Sequence, residues 1–351
     1  MRALVLEDFG RLAVHEVAAA AEPGPDEVRV RISYTGICGS DLHGYTGENG
    51  RRVPGQVMGH ETVGRIESLG ELAAGRGLQA GQVVTFNPLL SCGRCAACEQ
   101  ALEQHCPNKR VVGVTPELVA AFAEQVTVPA GNVIPLAAPG QDDAAASRTE
   151  PHGALVEPLA VSLHAARRAG IVPGQTVLVT GGGPIGQSAV LAALRLGASR
   201  VLATDLSAPR RDLCAALGAE ALDPAAGPVP EQVRQALDGP ADVAIDAVGV
   251  TASIADALHA TRLGGTVSLV GMGSPDLQLP AYQVSTAERT LVGSFAYDAA
   301  TFRETVGWVA EGDPLLDTLI SQTVPLTGAA EAFAALARSA DIPGKVLVDL
   351  R

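Results

Sequence analysis

The chain has 351 residues, 47% of them hydrophobic, with 25 Lys and Arg against 38 Asp and Glu, for a formal net charge of -13. That length allows two domains, each able to bury a core of its own, and the acidic balance argues against a nucleic-acid surface, which needs clustered Lys and Arg. No run approaches the ~20 uncharged apolar residues that span a bilayer, and the opening MRALVLEDFG carries acidic residues and no basic segment leading into an apolar one, so a cytoplasmic protein acting on small molecules or other chains is expected.

From Met1 to about Val133, short β-rich runs such as EVRVRIS, ETVGRIESLG and GQVVTF alternate with Gly, Pro and Asn signals. Helical periodicity is weak there, which predicts a compact β-barrel-like domain. Two segments inside it combine metal-type ligands with polar groups: Cys38-Gly39-Ser40-Asp41-Leu42-His43 and Gly59-His60-Glu61. A Cys38 thiolate and a His60 imidazole are suitable zinc ligands. Asp41 is placed to orient His60 and fix its tautomer.

Further along, Cys92-x2-Cys95-x2-Cys98-x7-Cys106 offers four thiolates from one loop. Such crowding speaks for metal rather than disulfides. Four sulfurs suit a closed tetrahedral zinc site, whose role is structural because no position is left for substrate; an iron-sulfur cluster is the rival occupant. His105 reads as a surface residue, and Cys214, within RRDLCAALGAE, as core packing.

Residues 139–150, PGQDDAAASRTE, lose the apolar pattern and predict a polar connection. Glu157-Pro158-Leu159 follows, with Pro158 marking a helix start and Glu157 near that helix's N-terminus. Glu61 or Glu157 would supply a third, carboxylate ligand to the Cys38 and His60 metal and leave one position for water or alcohol.

Beyond Pro158 strand and helix alternate: TVLVT, a helix, RVLATD, a helix, DVAIDAVG, a helix and GTVSLVGM. Near-continuous apolar strands in this order predict a doubly wound parallel sheet and an α/β fold class. TVLVT runs into Gly181-Gly182-Gly183-Pro184-Ile185-Gly186, a G-x-G-x-x-G turn opening a helix. Gly181 allows the tight turn, Gly183 lets backbone approach a pyrophosphate, and Gly186 permits close helix-strand packing. Asp205 ends the next strand and can accept hydrogen bonds from ribose hydroxyls, favouring NAD over NADP; Arg210 and Arg211 lie close enough to soften that choice. RTLVGSFAY adds a strand, and from about Phe295 come a helix with Trp308, another at AAEAFAALARS and a last strand, GKVLVDL. The expected division is therefore 1–158, 159–294 and 295–351.

Carried by CGSDLH, GHE, the four-cysteine loop, GALVEPLAVSLHA, GGGPIG and TDLSAPR, the chain resembles the zinc-containing medium-chain alcohol dehydrogenases, particularly their sorbitol, butanediol and threonine dehydrogenase branch. The resemblance implies a GroES-like catalytic domain that takes back the C-terminal segment, an inserted Rossmann domain, an active site in the cleft, and a homodimer or homotetramer. It also implies that zinc at Cys38 and His60 stabilises the deprotonated alcohol while hydride passes to the nicotinamide, that Ser40 and His43 relay the proton, and that either Glu61 or Glu157 stands at the metal.

The reading is reversible oxidation of a secondary alcohol or vicinal diol to a ketone. Its alternatives are a dehydrogenase of an amino-alcohol, sugar or cyclitol, and a non-catalytic NAD-binding structural or sensing protein. Two departures restrict the substrate: Ala296 precedes Tyr297 where sorbitol dehydrogenases carry an arginine, and Ala120-Ala121 stands before Phe122 in place of Gly-Gly.

Overall fold

The computed structural model describes residues 1–48, 50–136, 149–338 and 342–351. Apart from Thr149 and Glu150, the polar connection expected over 139–150 lies outside the described residues. The chain forms two compact units, Met1–Glu157 with Asp298–Arg351, and Pro158–Tyr297.

The first part of the first unit is β-rich. Its strands are β1 (Arg2–Asp8), β2 (Arg11–Glu16), β3 (Glu27–Gly36), β4 (Glu61–Leu69), β5 (Val83–Phe86), β6 (Leu89–Leu90), β7 (Arg110–Val111), β8 (Gln125–Pro129) and β9 (Val133–Pro135). The second unit supplies β10 (Thr176–Thr180), β11 (Arg200–Thr204), β12 (Glu220–Leu222), β13 (Ala241–Asp246), β14 (Thr261–Leu269) and β15 (Thr290–Gly293). The C-terminal segment contributes β16 (Ile320–Pro325) and β17 (Lys345–Asp349).

Seven strands of the first unit form one sheet in the order β16-β17-β3-β4-β5-β9, with β8 also paired to β3. β3 shows why its residues choose that place. Val28, Val30 and Ile32 are fully buried, while Arg29 turns outward to Glu67 at 2.8 Å; this two-residue period puts one face in the core and one in water. The core reaches the C-terminal segment, where Phe333 on the helix Ala329–Ala337 meets Phe122 edge-on, with ring centroids 5.4 Å apart.

In the second unit the sheet runs β12-β11-β10-β13-β14-β15, every pair parallel. Numbered within the unit, that order is 3-2-1-4-5-6, which places the topological switch between β10 and β13. Four of the five residues of TVLVT and of RVLAT are buried, as expected of parallel strands covered on both faces by helices. Dinucleotides bind outside the carboxyl ends of such strands, at the switch.

Candidate metal centres and cofactor site

Strand β3 ends at Gly36, and two residues later Cys38 caps the N-terminus of helix α1 (Gly39–Thr46). The Asp41 carboxylate accepts the Cys38 backbone N–H at 3.3 Å. His60 arrives from the other side, immediately before β4, through Gly59 at φ +99°. A Cβ on Gly59 would lie 2.9 Å from the Phe122 ring and backbone nitrogen, so only glycine fits. The Ala120-Ala121 pair packs into this same corner: both residues are fully buried, and the Ala121 N–H donates to the Gly59 carbonyl at 3.1 Å.

The ligand atoms of Cys38, His60 and Glu61 lie within 4.8 Å of one another. The His60 Nδ1 is buried and without a hydrogen-bond partner, with Asp41 Oδ1 3.5 Å away. Burial opposes charge on Asp41, but His60, Arg52 and the Cys38 N–H outweigh it and hold the carboxyl below its usual range. Burial likewise opposes a charged His60, yet Asp41 and Cys38 raise its pKa well above the ordinary imidazole value. A buried spot that favours positive charge between a thiol and carboxylates fits a divalent cation, which takes the place of the proton when it binds.

Two buried cations stand beside these acids. Arg52 Nη2 lies 3.4 Å from Asp41 Oδ1, with both side chains removed from water. Its stem passes under α1 where Gly44 leaves room, since a Cβ there would sit 2.3 Å from Arg52 Cγ. Lys345 Nζ donates to Glu61 Oε1 at 2.7 Å and to the Ile37 carbonyl at 3.3 Å. Burial would lower the Lys345 pKa, but the charges of Glu61, Cys38 and Glu157 raise it instead. Neither cation follows from the sequence pattern: Arg52 sits in an Arg-Arg pair that looks solvated, and Lys345 is 284 residues from Glu61.

Glu157 is half-buried in the first turn of helix α2 (Val156–Arg168) and is not a member of the Cys38, His60 and Glu61 cluster. Ser40 and His43 share one face of α1, three residues apart. Ser40 is half-buried, whereas His43 is 43% exposed and its Nδ1 lies 3.0 Å from Glu48 Oε2. One helix face thus carries a hydroxyl two residues after Cys38 and an imidazole partly open to solvent.

The ligand atoms of Cys92, Cys95, Cys98 and Cys106 also lie within 4.8 Å of one another, and none of the four is in a disulfide. Cys95 Sγ is 3.5 Å from Cys98 Sγ, and the Cys92 N–H points at Cys106 Sγ at 3.5 Å. The Arg94 backbone N–H brings the Cys92 thiol down to about 6. Cys95 is pushed up to about 11, because burial and the neighbouring sulfurs outweigh the Cys98 N–H that favours its thiolate. Four thiolates cannot share this space without a cation to balance them, which is the donor set of a closed zinc site. His105 is exposed and outside the cluster. Glu103, from the same lobe, accepts the Ala299 N–H at 3.2 Å, at the first turn of helix Ala299–Ala310.

In the second unit β10 leads into Gly181 at φ +92°, and Gly183 caps helix α3 (Pro184–Arg195). A Cβ on Gly186 would fall 1.7 Å from the Gly181 carbonyl oxygen, whereas one on Gly183 would meet nothing within 4 Å. Gly183, Pro184 and Ile185 are half-buried, leaving open space at a helix N-terminus suited to an anion. Asp205 braces this loop: one carboxylate oxygen accepts the Gly182 N–H and the other the Ser207 N–H, each at 2.8 Å. Arg210 Nη1 stands 3.8 Å from Asp205. Arg211 is committed elsewhere, to the Asp205 and Leu206 carbonyls and to Asp223 at 2.9 Å.

Two residues not read as part of this site support it. Cys214 Sγ would lie 3.1 Å from a Cβ on Gly182, and burial, helped by the Asp205 charge, pushes its thiol up to about 12. Asp246, fully buried at the end of β13, accepts the Thr180 hydroxyl at 2.7 Å and the Gly249 N–H at 3.0 Å. It ties the end of β10 to the loop after β13.

Comparison with known proteins agrees with this architecture. Residues 24–138 match the family described as alcohol dehydrogenase GroES-like domain, and residues 184–311 the zinc-binding dehydrogenase family. L-galactonate-5-dehydrogenase of Escherichia coli is 35% identical over 312 residues, covering 89% of this chain and 88% of that protein. D-xylulose reductase A of Aspergillus niger is 32% identical over 339 residues, covering 94% and 91%. Among solved structures, a zinc-binding dehydrogenase of Sinorhizobium meliloti 1021 bound to NADP superposes with a TM-score of 0.88 at 32% identity, over 99% of each chain. The α/β fold, a GroES-like domain with a Rossmann domain, is shared with these relatives, and so is oxidation of an alcohol CH–OH by a nicotinamide cofactor. Domain families, full-length relatives and fold converge: the chain belongs to the zinc-containing medium-chain alcohol dehydrogenases, in their polyol dehydrogenase branch.

Proposed function

We propose that the chain oxidises a secondary alcohol of a vicinal diol or polyol to the ketone, reversibly and with NAD, at a zinc held by Cys38 and His60. What supports this most is the convergence of the Cys38, His60 and Glu61 ligand atoms within 4.8 Å. Glu61 or Glu157 is the third protein ligand. Zinc, when bound, supplies the positive charge that lowers the pKa of the substrate hydroxyl. Ser40 would accept the hydroxyl proton as its own proton passes to the imidazole of His43, one helical turn on, which releases it to solvent. Asp41 orients His60. Cys92, Cys95, Cys98 and Cys106 hold a second, structural zinc. A nicotinamide cofactor, when bound at the glycine loop, would supply the hydride acceptor.

The relatives named above act, by their names, on D-xylulose and L-galactonate, open-chain polyhydroxy compounds, which favours a substrate of that kind. The test is NADH formation across vicinal diols and sugar alcohols with two zinc per chain. No NADH from any alcohol, despite full zinc and bound cofactor, would instead support a binding or sensing protein.

NAD is the assigned cofactor because a 2′-phosphate would meet the Asp205 carboxylate. The NADP held by the Sinorhizobium relative marks the alternative. Asp205→Asn removes that charge, leaves Arg210 unopposed and keeps an acceptor for the Gly182 N–H. Hydrogen bonds to charged groups contribute about 1.5–3 kcal/mol, so the ratio of kcat/KM for NAD over NADP is expected to fall about tenfold or more. An unchanged ratio would remove Asp205 from cofactor selection.

Gly181, Gly183, Pro184, Ile185 and Gly186 cradle the pyrophosphate in this reading. A homodimer or homotetramer is supported by the edge position of β15 and by exposed Met272, Leu279 and Tyr282. Among the described residues no helix is long and apolar enough to cross a membrane. A cytoplasmic setting, proposed with the rest, suits six cysteines of which none is in a disulfide.

A further inference from the structure

Glu61 and Lys345 are brought together across three neighbouring strands. In register, Gly36 of β3 stands between Glu61 of β4 and Leu347 of β17. Lys345 is two residues before Leu347 on the same face. Its side chain reaches over the middle strand because Gly36 has no side chain to block it: a Cβ there would lie 2.3 Å from Glu61 Oε2 and 3.2 Å from Lys345 Cδ. Glu61 is fully buried and Lys345 is 3% exposed.

Both carboxylate oxygens contact the ammonium. Oε1 accepts a well-formed hydrogen bond from Nζ at 2.7 Å. Oε2 lies 2.6 Å from the same nitrogen, so the ammonium faces both carboxylate oxygens. The ammonium also donates to the Ile37 carbonyl at 3.3 Å, one residue before Cys38. One cation therefore clamps the buried carboxylate and ties it to the segment carrying Cys38. A carboxylate fixed in this way, with its ligand atom within 4.8 Å of those of Cys38 and His60, still has lone pairs that a metal would take.

We propose that Lys345 is a positioning residue of the catalytic metal centre, holding Glu61 as its third protein ligand. The proposal rests on the reading of Cys38 and His60 as metal ligands and adds to it a residue from the opposite end of the chain. Lys345 touches no substrate; it acts through Glu61. Carboxylates at metals are themselves hydrogen-bonded, and loss of such partners typically weakens metal binding by about 10–100-fold.

The test uses the full-length protein with Co(II) in place of zinc, comparing wild type, Lys345→Met, Glu61→Gln and the double variant. Subtracting the Cys38→Ser spectrum isolates the bands of this site from those of the four-cysteine site. Lys345→Met and Glu61→Gln are each expected to weaken Co(II) binding by about 10–100-fold and to shift the visible bands alike. The double variant should lose no more than either single one, because both changes break the same link; it also leaves no unpaired buried charge and so keeps the comparison possible should Lys345→Met fold poorly. Wild-type affinity and bands in Lys345→Met, or additive losses in the double variant, would overturn the proposal. A wild-type spectrum with no Cys38-dependent band would overturn the underlying metal site as well, and is distinguishable for that reason.

Discussion

Replacing Cys38 by serine is expected to cut turnover by about 10³-fold or more, the scale of roughly 4 kcal/mol of transition-state stabilisation that a Lewis-acid metal supplies. Serine keeps the N-cap position of α1 and nearly the same volume, so the fold has little reason to change. What goes is the thiolate beside His60 and Glu61. Metal analysis should read one zinc per chain against an expected two in wild type, and NAD titration should be unaltered, because the glycine loop and Asp205 belong to the other compact unit. Full turnover in the metal-depleted variant would sink the assignment.

The second large effect is on stability. Cys95→Ser should empty the four-sulfur site, since three sulfurs and a poorer ligand no longer close a tetrahedron. Loss of a structural metal ranks among the most destabilising changes, on the order of 4 kcal/mol. At about 2–4 °C per kcal/mol for chains of this class, the thermal midpoint should fall by about 8–16 °C. The lobe is not an isolated appendage, because Glu103 receives the first turn of helix Ala299–Ala310. Thermal unfolding with and without added zinc checks this. A variant with wild-type stability and one zinc fewer would show the lobe to be held by its packing alone.

Both changes fall on residues that can be found by reading along the chain, and for a physical reason. Four cysteines within one loop, or a Cys, Ser and His within one helix, are local patterns whose spacing survives in the linear sequence. The parallel strands were legible in the same way, because TVLVT and RVLAT are buried on both faces and so must be continuously apolar. Partners that meet only across a sheet leave no such trace. GKVLVDL reads as a strand, but nothing in its period says that β17 lies beside β3. The Arg52 and Lys345 partners of Asp41 and Glu61 are invisible for the same reason. Asp246, read only as the end of an apolar strand, becomes a brace of the glycine loop through Thr180. Ala296 has φ +49°, a left-handed backbone outside the usual range of alanine, immediately before the buried Tyr297; sequence offered only its contrast with an arginine.

The sheet order also sets a timetable for biosynthesis. Glu61 leaves the ribosome 284 residues before Lys345. At about 5–20 residues per second, roughly 15–60 s separate the two. Throughout that interval the Glu61 carboxylate, next to His60 in the chain, lacks its Lys345 counter-ion. β3 likewise waits for β17. The intervening unit, whose own sheet is complete at β15, can fold while the first is still missing its last strands. Pairing of Glu61 thus waits for β17, and a ribosome-stalled chain lacking that strand is expected to carry a folded second unit beside a first unit without the Lys345 partner of Glu61.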